Sequence, residues 1–69
     1  MKIVIRDESI KVGQLLKKIH VVQTGGDAKL FLVNNVVKVN GKPPVGRGSK
    51  VYVGDTVWIN DDLYQIVNE

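Results

Sequence analysis

The sequence predicts an α+β domain: two helices packed on a small antiparallel sheet of about four to five short strands. Three observations carry that reading. A β-rich run, Lys2-Ile3-Val4-Ile5-Arg6, opens the chain. Apolar residues then recur at helical spacing through two successive segments. From Val36 onward the period drops to two, interrupted by turn residues at Asn40-Gly41, Gly54-Asp55 and Asn60-Asp61-Asp62. The 69 residues, 1–69, make a single domain without repeats, linkers or low-complexity segments.

Taken in order, the opening strand is bounded by the turn-prone Asp7-Glu8-Ser9. Val12, Leu15, Leu16 and Ile19 stand at i, i+3, i+4 and i+7, so a helix runs from about Val12 to Ile19 with Lys11, Gln14, Lys17 and Lys18 on its polar side. Gly13 weakens that helix slightly. His20 reads as a helix-end residue. A second helix covers about Gly25 to Val33, its core face made by Ala28, Phe31 and Leu32. Leu30 and Val33 widen the apolar stripe almost all round, which predicts an exposed apolar side chain. Asn34-Asn35 can stop the helix, since asparagine tolerates the left-handed conformation.

The turn into the second helix is the most informative stretch. Thr24 is a good N-cap, and Asp27 three residues later completes a Thr-x-x-Asp capping box in which the carboxylate turns back to the Thr24 N–H. Gly25 and Gly26 fill the first helical positions, where each costs up to about 1 kcal/mol relative to alanine. Without side chains there, the first-turn N–H groups, at the positive end of the helix, are open to an anion. Lys29 reaches the same space.

Beyond the helices, Val36-Val37-Lys38-Val39 is a strand and Asn40-Gly41 a strong hairpin turn. Lys42 to Ser49 reads as a long, flexible, basic loop, because Pro43 and Pro44 cannot donate to a ladder. Lys50-Val51-Tyr52-Val53, Thr56-Val57-Trp58-Ile59 and Leu63-Tyr64-Gln65-Ile66-Val67 complete the strands. Trp58, Tyr52 and Tyr64 read as core or sheet-edge residues rather than base-stacking platforms.

Charge is unevenly spread. The net +3 hides a basic middle, with seven lysines and Arg47 between Ser9 and Lys50 against Asp27 alone. The last third carries Asp55, Asp61, Asp62 and Glu69 and no cation. One cationic side on a polar molecule favours polyanions, nucleic acid above all. There is no cysteine and one histidine, which leaves no metal cluster; no nucleophile is paired with a base, and no phosphate-loop motif occurs. These features predict no catalysis, no cofactor and no small-molecule substrate. No apolar run of membrane-spanning length and no basic-then-apolar leader occur, so a cytoplasmic location is expected.

In their order and spacing, Gly13-Gln14-Leu15-Leu16-Lys17, Gln23-Thr24-Gly25-Gly26 with Ala28-Lys29, Val39-Asn40, and Arg47-Gly48 followed by Lys50-Val51-Tyr52-Val53-Gly54-Asp55 resemble a known family. The chain is similar to the S-four-type RNA-binding domain, or alpha-L motif, and within it to the small stand-alone bacterial proteins of the YaaA/YbcJ type. The resemblance implies a ribosome-associated RNA binder whose two helices and adjoining loops meet structured RNA, either rRNA or a tRNA-like fold. The broader family usually has a basic residue where this chain has Gly25, which leaves phosphate binding there to backbone groups.

Lys17, Lys18, Lys29, Lys38, Arg47 and Lys50 are the expected phosphate contacts, with Arg47 the best bidentate partner. Gln14, Gln23, Thr24 and Asn40 offer neutral hydrogen bonds, and Gly25 and Gly26 their backbone. The competing reading is a protein-interaction module that uses an apolar patch near Leu30 and Val33.

Overall fold

Alternation of apolar and polar residues along short strands gives each one an inner face, and the two amphipathic helices close over those faces. The computed structural model describes residues 1–69. The elements run β1 (Lys2–Ile5), β2 (Ser9–Lys11), α1 (Val12–Lys18), α2 (Gly25–Asn34), β3 (Val37–Val39), β4 (Lys50–Tyr52), β5 (Thr56–Ile59) and β6 (Asp62–Asn68). The α+β class, both helices and the later strands match the sequence reading. No helix is long and apolar enough to cross a membrane.

Strand pairing differs from that reading in two details. The main sheet has the order β1-β6-β5-β3 and is mixed, because β1 and β6 run parallel with Ile3 opposite Ile66. Ser9-Ile10-Lys11, expected to begin in a turn, instead forms β2 and pairs antiparallel with β4 in a separate two-stranded sheet. Both details depend on partners far away in the chain, and local alternation does not report them.

The core is one cluster. Ile3, Ile5, Val37, Val57, Ile59 and Ile66 line the inner face of the main sheet, and Val12, Leu15, Leu16, Val22 and Ala28 cover it from the helical side, joined by Val51 of β4. Phe31 and Leu32 of α2 are half-buried against this cluster, whereas Leu30 is 61% and Val33 75% exposed. Both apolar residues that widen the α2 stripe therefore face solvent. Trp58 corrects its expected placement: it stands on the outer face of β5, an inner strand, 41% exposed, opposite Lys38 and Leu63.

The helix ends are closed by different devices. At the end of α1, His20 takes a left-handed φ of 65°. Its N–H donates to Lys17 O, and Val21 N–H donates to Leu16 O, which together form a Schellman closure. At the end of α2, Asn35 stays extended rather than left-handed. It stops the helix with its side chain, since Nδ2 donates to Phe31 O at 3.1 Å and Oδ1 accepts from Asn60 Nδ2 at 3.2 Å.

Because Ile66 is fully buried and Leu30 largely exposed, their truncations should separate cleanly. Ile66→Ala is expected to cost about 2–5 kcal/mol by urea denaturation, and Leu30→Ala no more than about 0.5 kcal/mol. Comparable losses from the two variants would contradict the placement of α2.

Candidate nucleic-acid interface

α1 starts without a side-chain cap, with Lys11 extended at the N-cap position. Its first donors are taken by the basic loop instead. Val12 N–H donates to Ser49 O at 2.8 Å, and Gly13 N–H donates to Arg47 O at 2.9 Å. The loop also closes on itself, with Ser49 N–H to Gly46 O at 3.1 Å and Gly46 N–H to Ser49 Oγ at 3.3 Å. The stretch expected to be flexible is thus tied down in its second half. Asn40-Gly41 does form its tight turn, with φ of 51° and 84°, and Val39 and Lys42 exchange two backbone bonds across it. Pro43 ends that ladder, and the chain is free to travel to α1.

Two glycines shape the path of Arg47. A Cβ built on Gly13 would lie 3.3 Å from both the Cβ and the carbonyl oxygen of Arg47, and 3.7 Å from the Cβ of Ala28 on α2. Gly13 is therefore where loop, α1 and α2 approach one another. On α2, a Cβ at Gly25 would lie 2.8 Å from Arg47 Nη1 and 3.6 Å from Cζ. The guanidinium occupies the space that any side chain at Gly25 would fill. A cation is thus present at this position after all, delivered from the loop rather than from the helix.

Around Arg47 lies a shallow polar groove of about 210 Å³, with Lys11, Gln14, Lys17, Gly25 and Gly48 among its lining residues and neither an apolar side chain nor a carboxylate. Lys50 stands directly opposite Lys11 in the β2–β4 ladder, a like-charge pair that is destabilising in isolation. None of these cations has a counter-ion: the single ion pair of the protein joins Arg6 to Glu69, at 3.0 Å and exposed. The amides of Gly25 and Gly26 make no hydrogen bond within the protein, while Asp27 N–H is capped by Thr24 Oγ1 at 3.1 Å. The reciprocal arm of the capping box is not formed. Asp27 instead lines a hollow with His20, Gln23 and Leu30, separate from the polar groove.

Of the residues expected from sequence, Gln14, Lys17, Gly25 and Arg47 come together in this groove, with Lys50 alongside. Lys29 lines a neighbouring groove that shares Arg47. Lys18 is exposed in the last turn of α1 and does not line the groove. Gln23 lies in the hollow with Asp27, and Lys38 on the outer sheet face opposite Trp58. Asn40 is engaged structurally: its N–H donates to Thr56 O at 2.8 Å, and its Oδ1 accepts from Thr56 N–H at 3.0 Å. Lys11, not among the residues expected from sequence, lines the groove as well; it precedes Gln14 by three residues and Lys17 by six, a spacing that puts it on the same polar side.

Residues 3–67 match the model of a family described as S4 domain. A curated protein of Bacillus subtilis (strain 168), named probable ribosome maturation protein RlbA, is 48% identical over 62 residues, which covers 88% of this chain and 87% of that protein. No solved structure matches.

Gly25 supports a prediction that separates folding from site geometry. Arg47 Nη1 is the end of a flexible side chain, so Gly25→Ala should keep or raise stability, by up to about 1 kcal/mol through helix propensity. The same change should shift the Nε–Hε resonance of Arg47 as the guanidinium is displaced. An unchanged Arg47 resonance in the folded variant would contradict its seating on Gly25.

Proposed function

The chain belongs to the S4 domain family, and on that premise we propose that it is a non-enzymatic RNA-binding domain. It holds structured RNA on the groove between α1, α2 and the Lys42–Ser49 loop, and it acts in the cytoplasm. The observation that carries this reading is the gathering of Lys11, Lys17 and Arg47, with Lys50 beside them, around Gln14 and without any carboxylate. Structured RNA is met through shape, phosphates and 2′-hydroxyls, for which a fixed cationic face suffices. The name of the Bacillus subtilis relative favours ribosomal RNA over a tRNA-like fold as the partner. A protein-interaction surface at Leu30 and Val33 is the second reading, favoured by the exposure of both side chains.

Titration of a ribosomal RNA fragment across a range of salt tests the proposal. With about three to five phosphates neutralised, log affinity should fall linearly with log salt, with a slope of roughly −2 to −4.5. Lys17→Glu should weaken binding by about 1–3 kcal/mol. Asp61→Lys should change it by only a few tenths of a kcal/mol, as for a screened surface charge. Asp61 follows Asn60, which is bonded to Asn35 at the far end of α2. That end is roughly 15 Å from Gly25 by helical rise, beyond the screening length at physiological salt. Equal and opposite effects of the two variants would mean that net charge alone drives binding. A salt-insensitive complex would point to the apolar surface instead.

A further inference from the structure

Beside the polar groove, a second and amphipathic one runs between α2 and the basic loop. Lys29, Leu32, Val33, Pro44, Val45 and Arg47 line it, around a space of about 500 Å³. Its walls are aliphatic, and two of them are in open solvent: Val33 is 75% exposed and Val45 fully so. Its cations, Lys29 and Arg47, have no counter-ion, and no carboxylate lines it.

We propose that this groove receives one unpaired nucleotide of the bound RNA, with the base against Val33, Pro44 and Val45 and its phosphate between Lys29 and Arg47. The inference rests on the RNA-binding reading and specifies what the RNA must offer. A regular duplex presents phosphates and 2′-hydroxyls to a protein and keeps its base faces stacked, so it has nothing to set against Val33 and Val45. An unpaired nucleotide carries both an apolar π-face and an anion, which is the pairing of surfaces found here. The volume is on the scale of sites that take small molecules. Continuity favours RNA as the occupant, because Arg47 lines both grooves and a strand held in the polar one passes the mouth of the other.

Two hairpins with one stem sequence test this, one fully paired and one carrying a single bulged 2-aminopurine. The parent protein should bind the bulged hairpin at least five-fold tighter, and 2-aminopurine fluorescence should rise on binding, since the base leaves its stack and meets no aromatic ring. The doubly substituted V33S/V45S protein should lose that preference and the fluorescence rise while keeping its affinity for the paired hairpin. Val45→Ser alone, at a fully exposed position, should reduce the preference with an unchanged thermal melt. Equal affinity of the parent for both hairpins, or an undiminished preference in V33S/V45S, overturns the nucleotide groove while salt-dependent binding of the paired hairpin leaves the RNA-binding reading intact. Loss of co-sedimentation with ribosomal particles in V33S/V45S, with both hairpins bound as by the parent, assigns the groove to a protein segment and overturns the proposal. Failure of the parent to bind either hairpin overturns both.

Discussion

Two backbone hydrogen bonds, Val12 N–H to Ser49 O and Gly13 N–H to Arg47 O, hold the basic loop against α1. Val12 is fully buried, so its N–H has no access to water and requires a protein acceptor. α1 has no side-chain cap, and the loop supplies what the helix start lacks. The same stretch then continues directly into β4, whose first residue, Lys50, pairs with Lys11 at the end of β2. Helix cap and small sheet thus form one continuous device. Its by-product is the placement of Arg47 across the gap to α2.

That placement brings like charges together. The guanidinium lies against the start of α2, where unpaired amides already make the helix end positive, and Lys11, Lys17 and Lys50 gather nearby without an acid among them. Folding such a cluster works against its own repulsion. The core beneath absorbs this, since the buried residues of α1, β4 and the main sheet form one cluster. An anion in the groove would relieve the repulsion, which makes binding and electrostatic relaxation the same event. The acidic residues of the last third lie elsewhere: Asp55 accepts from Tyr52 N–H in a turn, and Glu69 pairs with Arg6 at the opposite end of the chain.

Much of this was legible in the sequence because it is local. The period of Val12, Leu15, Leu16 and Ile19 declared α1, Thr24 declared the start of α2, and Asn40-Gly41 declared its turn. Gln14, Lys17, Gly25 and Arg47 were singled out and do meet. What stayed hidden depends on contacts between distant residues. Ser9-Ile10-Lys11 is too short to show a period, and it becomes a strand only because Lys50-Val51-Tyr52 lies beside it. The parallel run of β1 and β6 joins the two ends of the chain. Gly13 looks like a weak helix former until the backbone of Arg47 is seen against it, and Gly25 looks like an open anion site until the guanidinium is seen above it. The bond from Thr56 N–H to Asn40 Oδ1 likewise joins residues sixteen positions apart, and the sequence does not report it.

The loop is clamped to α1 in the free protein, so that the cations stand in place before any RNA arrives. Amide hydrogen exchange of the unbound protein measures this residue by residue. The amides of Val12 and Gly13 should exchange slowly, at rates comparable to the interior of α1, while the unbonded amides of Gly25 and Gly26 exchange quickly. Exchange at Val12 and Gly13 as fast as at Gly26 would show that the loop is not docked and that the cations are not held in place before binding.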